Sequence, residues 1–588
     1  MNLIAPARPG RPLRGRPLRT AGVSRVLRLA FSGGLAIASL CLPAAAEPAH
    51  SHGGGKAAPA AKVPLFANLG TYHRPITSRS PKAQRYFDQG MALLYAFNLE
   101  EAERSFAAAA AADPRCAICH WGVAMALAPH INLPALPERT AAAHRAAAQA
   151  VKLAKGASPV EKALIAAVAK RSADPPPADP EAQRALDTAY ADAMREVAKR
   201  FPVDMDAQAL FAEAMMDLRP WDLWTADGKP QPGTEEIVAT LERALALDAN
   251  HPGANHYYIH AVEASPHPEK ALDAADRVGA LIPGAAHIVH MPSHIYARVG
   301  RWDQASEANR QAIAVDRAYI EQTHPQGFYF MYVAHNFQFL QATAAMEGRS
   351  AEALANARQV VAHAPLEMLR QMPGNDFVLG YPVWILVRFD RWAEVVAEPA
   401  PPVGFPYANA VWHAARGIAF ARLGKLDEAA AEEKAVARAA AELPAGATEA
   451  LNPAAALAGI ARDLTAGEIA AARGDWPAAI ERLESAVKAE DGLRYNEPPD
   501  WYLPTRHALG AALARAGRAA EAQKVWEEDL HRQPENGWAL AGLAASLRQQ
   551  GKAGEAEPVE ARFRQAWSGA DVPSPPDPSQ QAVATGAR

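Results

Sequence analysis

The sequence is short of cysteine, of basic charge and of long apolar runs, and each shortage excludes a class of protein. Three Cys in 588 residues cannot staple a disulfide scaffold. Basic and acidic side chains number 60 and 64, but residues 1–46 hold seven Arg and no acid, so the chain from Glu47 onward carries 53 against 64. Such an acidic balance does not neutralise phosphates, and no nucleic-acid partner is expected. One long charge-free apolar stretch, near the N-terminus, excludes a multi-span membrane protein. Also missing are G-x-S-x-G, H-E-x-x-H and a phosphate-binding Gly-rich loop. Against these shortages stand 19 His and a half share of hydrophobic residues, enough to bury a large core.

Residues 1–28 are basic and lead into an apolar run from Leu29 to Leu42 that ends in Ala44-Ala45-Ala46. This order predicts a secretory signal over 1–46, cleaved after Ala46, and a periplasmic or secreted protein whose only link to a membrane is that signal; an uncleaved anchor is the alternative. Cys41 follows Leu40 rather than a small residue, which argues against lipidation. Export leaves Cys116 and Cys119 in an oxidising compartment.

A small residue recurs twelve positions before an Ala at Gly90/Ala102, Ser293/Ala305, Gly417/Ala429, Gly467/Ala479, Gly510/Ala522 and Ala544/Ala556. In five of these units a Gly stands five residues before the Ala, from Gly300 to Gly551, and Gly348/Ala353 keeps the same step. The small residue admits a close helix neighbour and the Gly closes the first helix, so each unit reads as an antiparallel helix pair. The step from Ala271 to Ala305, and from Ala522 to Ala556, is 34. On these features the chain resembles the tetratricopeptide-repeat (TPR) family, over Pro81–Pro134 and about Pro252–Trp567. The resemblance implies an all-α superhelix with a concave groove. It divides the chain into a flexible leader (47–80), N-terminal TPR-like repeats (81–134), irregular helices (135–250), His-rich repeats (251–365), C-terminal repeats (366–568) and a disordered tail (569–588). Aromatic insertions at Arg219–Trp224 and Glu497–Pro504 read as caps on exposed ends of the stack, with recognition as the alternative.

Nine of the 19 His fall between His251 and His335. His256 and His260 are four apart, one helical turn; His290 and His294 repeat the pair 34 residues on, in the equivalent place of the next repeat. His287, His290 and His294 form one stripe, and His335 stands where His287 does, one repeat later. The TPR resemblance implies that these six face the groove, with Glu263 extending the face of His260. Four imidazoles, or three with a carboxylate, suit a transition metal, Zn or Cu first. A hydrogen-bonded set of polar groove residues is the other reading. The stretch His287–Ile295 (HIVHMPSHI) resembles one in exported bacterial repeat proteins of no assigned reaction. His251, His267 and His324 lie beside Pro in turns and receive no role. Met125, Met205, Met215 and Met216 read as packing rather than copper ligands.

Cys116-Ala-Ile-Cys119-His120 matches the c-type haem attachment pattern, yet also reads as the start of a repeat helix. A disulfide, covalent haem and thiolate ligation of copper or zinc all remain open. The expectation is an exported scaffold that binds a protein or peptide and holds a transition metal in its groove. A metal- or haem-dependent oxidoreductase or hydrolase is the alternative, and an interaction scaffold without metal a third.

Overall fold

A computed structural model describes residues 63–575, apart from 326, 365, 372, 373 and 450. The expected signal, its cleavage after Ala46, the first part of the leader and the tail from 576 lie outside the described residues. The fold is all-α, an array of antiparallel helix pairs; the only sheet among the described residues pairs Thr448–Glu449 with Asn452–Pro453. No described helix is long and apolar enough to cross a membrane.

The repeat spacing becomes helix pairs for the local reasons the residues suggest. Pro406–Arg422 pairs with Leu426–Ala441, Ala454–Ala472 with Trp476–Asp491, and Thr505–Arg515 with Ala519–Arg532. At the close-packing position of the last pair, a Cβ on Gly510 would lie 2.5 Å from the Trp526 ring, so any side chain there would displace the indole. Gly517 ends the first helix with φ +76°, a left-handed turn that glycine takes without steric cost. Residues 135–250 are helical with irregular spacing, including Pro137–Leu153, Pro180–Arg200, Met205–Met216 and Thr234–Leu247.

Two expectations for the ends of the fold are corrected. Residues 63–80 of the presumed flexible leader are fastened: the Tyr86 hydroxyl donates to the Val63 carbonyl, the Phe66 N–H to Gln89, and the Arg74 guanidinium to Asp204 and Asp206. In the presumed tail, Asp571 accepts hydrogen bonds from the N–H groups of Ser350 and Ala351, satisfying donors that the helix Ser350–His363 cannot satisfy itself.

A third correction concerns the groove. Packing between neighbouring repeats alone would leave it open, but distant segments meet across it. Trp302 donates to the Pro534 carbonyl, Trp538 to the Ala345 carbonyl, Arg494 pairs with Asp222, and Asn132 donates to the Tyr332 hydroxyl. The core forms two large clusters, one running from Leu69 to Phe339 and the other from Ile313 to Val559. Helix Tyr329–Met346 contributes to both, through Tyr332 and Phe339 to the first and Val333 and Phe337 to the second, and it carries His335.

Candidate metal centre

The histidines ride on three helical segments. His256 and His260 belong to Pro252–Val262, His287 and His290 to Ala286–His290, and His294 to Pro292–Arg298. Pro292 has no N–H to donate to the residue four before it, so the helix breaks between His290 and His294. All five are buried, as is Glu263; His335 is half-buried. The resemblance implies only that these histidines face the groove; in the fold the face they occupy is covered by protein.

The hydrogen bonds around the cluster fix its tautomers. His256 Nδ1 lies 2.6 Å from the Tyr95 carbonyl, which can only accept. His290 Nδ1 lies 2.7 Å from Asn309 Oδ1, and Asn309 spends its amide on the Ala305 carbonyl. His260 and His294 turn their Nδ1 atoms to the two oxygens of Glu263, at 2.8 and 2.5 Å. In all four rings Nδ1 is therefore the donor and Nε2 is free to present a lone pair or to take a second proton. Imidazole oriented through Nδ1–H to a carboxylate or carbonyl is the usual arrangement behind a metal-binding Nε2.

The Nε2 atoms converge. His256 and His287 Nε2 are 3.1 Å apart, His290 and His294 Nε2 2.7 Å. Two nitrogens on one tetrahedral ion at 2.0–2.1 Å stand about 3.3–3.4 Å apart, close to the first pair; the shorter second pair has the length of an N–H···N bond. His260 Nε2 and His287 Nδ1 are buried without a hydrogen-bond partner. An unpaired buried nitrogen costs roughly 1–3 kcal/mol, which an ion at His260 would remove.

Electrostatics keep most of the rings neutral. Burial pushes His256, His287 and His290 well below the usual histidine range, reinforced by neighbouring imidazoles, and lowers His260 against the opposing pull of Glu263. His335 is pushed down to about 3, by burial and then by His294. Glu263 goes the other way: burial opposes its charge, but His294 and His260 outweigh burial and hold it at about 2. Burial likewise opposes a charge on His294, yet Glu263 raises its pKa. Without an ion, a proton on His294 Nε2 can bridge to His290.

The expected ligands thus assemble. Three groups have potential ligand atoms within 4.8 Å of one another: His256, His260 and His287; His290, His294 and His335; and His260, Glu263 and His294. His120 joins none of them. Cys116 and Cys119 form a disulfide and are fully buried, Cys116 capping the helix Ala117–Leu127. The two sulfurs are bonded to each other, which is the first of the three readings open from the sequence. Met125, Met215 and Met216 pack in the core as expected.

Several residues of the site carry no obvious mark in the sequence. Phe97 takes the place of the helix-closing Gly, five before Ala102, and holds the same left-handed backbone, φ +56°, where an L side chain is strained. Its ring lies 4.6 Å from His256, 5.5 Å from His287 and 4.4 Å from His130. The missing Gly is the one signal that could have exposed it. Tyr95, which supplies the carbonyl for His256, sends its hydroxyl to Asp206, where Tyr72, Arg74 and His251 also converge. His251, given no role from the sequence, is therefore a buried member of the support behind the cluster.

The aromatic insertions cap no exposed end. Trp221 packs edge-on against His260 at 5.2 Å and donates to Asn132, while the second insertion brings Glu497 to the cluster. A cavity of about 100 Å³ is lined by His260, His287, His294 and His335 on one side and by Glu449 and Glu497 among others on the rest. Burial raises Glu497 to about 7, against the pull of His294, and holds Glu449 well above the usual carboxylate range. Glu497 is thereby poised to give or take a proton near neutral pH.

No family model matches the chain, and no curated protein does. Solved structures similar to it include human IFIT1 as a dimer with m7Gppp-AAAA (TM-score 0.30, 12% identity, covering 84% of this chain and 91% of that one). Yeast Tom70 (0.27, 12%, 83% and 91%) and the APC/C hetero-tetramer Cut9–Hcn1 (0.27, 11%, 84% and 76%) are others. Likeness at these scores carries no argument; the TPR-like reading rests on the helix pairs themselves. The expectation of no nucleic-acid partner draws no support from neighbours one of which is bound to m7Gppp-AAAA.

Proposed function

We propose that this protein is an exported helical-repeat scaffold that encloses a transition-metal centre, with zinc or copper held by His256, His260, His290 and His294 and completed by His287 and His335. The observation that carries the reading is the set of four imidazoles whose Nδ1 atoms are all engaged by acceptors, with the Nε2 atoms of His256, His290 and His294 facing other imidazoles and that of His260 buried without a partner. Glu263 acts behind the ligands, orienting His260 and His294. The all-nitrogen set excludes calcium and magnesium, whose ligands are oxygens. The Cys116–Cys119 disulfide fits an exported protein. A protein or peptide partner, if bound, engages the outer faces of the repeats, because the histidine face is covered.

A second reading, a metal-dependent oxidoreductase or hydrolase, is favoured by one observation: the cavity beside the histidines holds Glu497, whose pKa of about 7 suits proton transfer. Elemental analysis of protein secreted by a bacterial host tests the central reading. We expect zinc or copper at one equivalent or more, and loss of it in the His260→Ala/His290→Ala double variant. Metal-free protein whose metal affinity the double variant leaves unchanged would sink the proposal.

A further inference from the structure

We infer that the centre holds two ions, one in each of two three-histidine halves. The inference rests on the reading of the cluster as a metal centre and adds its stoichiometry and layout. The six imidazoles divide without overlap into His256, His260 and His287 on one side and His290, His294 and His335 on the other, each set with ligand atoms within 4.8 Å. Each half contains one facing pair of Nε2 atoms: 3.1 Å apart in the first, near ligand spacing, and 2.7 Å in the second, where an ion would take the place of the proton that bridges the two rings and part them slightly. Each also contains one histidine anchored by a different oxygen of the same carboxylate: His260 on Glu263 Oε1, His294 on Oε2. One glutamate thus orients a ligand of each ion.

The third grouping, His260 with Glu263 and His294, is not a site of its own. The histidine atoms that face the carboxylate are the Nδ1 donors, and an ion there would have to displace both hydrogen bonds. A single tetrahedral ion uses at most four nitrogens, so it would leave at least two of the six imidazoles unused. Five of the six are buried, where an unpaired ring nitrogen is costly. Two ions with three imidazoles each use all six and leave each ion an open position. Both halves contribute to the wall of one cavity, His260 and His287 from the first and His294 and His335 from the second, so both open positions face the same space of about 100 Å³. The exogenous ligand that fits is small, with a lone pair for each ion, such as hydroxide or azide.

The test loads the chelator-stripped full chain with Cu(II), removes excess ion by desalting and measures copper per chain, alongside His256→Ala and His290→Ala. Two equivalents in the parent and one in each variant support the inference. One equivalent in the parent overturns it and leaves the metal reading standing, whereas none overturns both. In case a variant fails to fold, electron paramagnetic resonance of the parent alone decides. Two neighbouring Cu(II) ions couple, so between one and two equivalents the spectrum should broaden and a half-field line should appear. A signal that simply doubles would mean the second ion binds elsewhere, and would overturn the inference.

Discussion

The same three positions of the helix pair carry opposite chemistry in two regions of the molecule. Counted from the small close-packing residue, they hold His287, His290 and His294 around Ser293, and Val411, Ala414 and Ile418 around Gly417. Burial is equally complete: 6%, 0% and 1% exposed in the first set, 0%, 0% and 3% in the second. These positions therefore face protein in both repeats. In the C-terminal pair, burial of an apolar stripe is itself stabilising. In the histidine pair, burial works against the side chains: Asn309 accepts from His290 and Glu263 from His294, while His287 meets His256 through Nε2 and keeps a buried Nδ1 without a partner. A stripe so expensive to bury, and so supported, points to a ligand.

Acid should separate the two regions most. In metal-free protein His256, His287, His290 and His335 have folded pKa values below their unfolded ones. As pH falls below about 6.5 the unfolded chain takes up these protons first, and stability is lost down to the folded values, about 3 for His335. Each such ring contributes a slope of ~1.4 kcal/mol per pH unit. Two groups modify the profile. The raised His294 contributes stability present below about 6.5 and lost above it, and Glu263, held at about 2, stabilises above its unfolded pKa until pH approaches 2. The net prediction is a loss of stability as pH falls from 7 to 5 in urea titrations of the chelated protein. Replacing the stripe by that of the other repeat, as His287→Val/His290→Ala/His294→Ile, should flatten the slope; an unchanged slope would place the acid sensitivity elsewhere.

The reverse exchange should cost less. Val411→His puts an imidazole where no acceptor has been arranged, with an expected destabilisation of ~2–5 kcal/mol from the unpaired ring and the crowding together. Added zinc should not recover it. If Val411→His were neutral, the supporting acceptors around His290 and His294 would lose their explanation.

The fold was legible because its signals are local. The Gly, Ala and Pro spacings record steric requirements inside each helix pair, and the period of 34 carried the histidines into register. What was not legible depends on segments far apart in the chain. Nothing near Glu497 or Trp221 shows that they border the histidines, since the contacts are made across the inner face of the superhelix. Phe97 was hidden differently, by standing where five of the six small-residue/Ala units place a glycine. The choice between disulfide and haem at Cys116 and Cys119 was not decidable from spacing, because both use the same two thiols.

The most direct measurement is X-ray absorption at the metal edge of the loaded protein. Ligation by the buried histidines predicts a first shell of nitrogen at about 2.0–2.1 Å with the outer-shell scattering of several imidazole rings. That signature should disappear in His260→Ala/His290→Ala. A first shell of oxygen without imidazole scattering, or a signature indifferent to the two substitutions, would contradict the account.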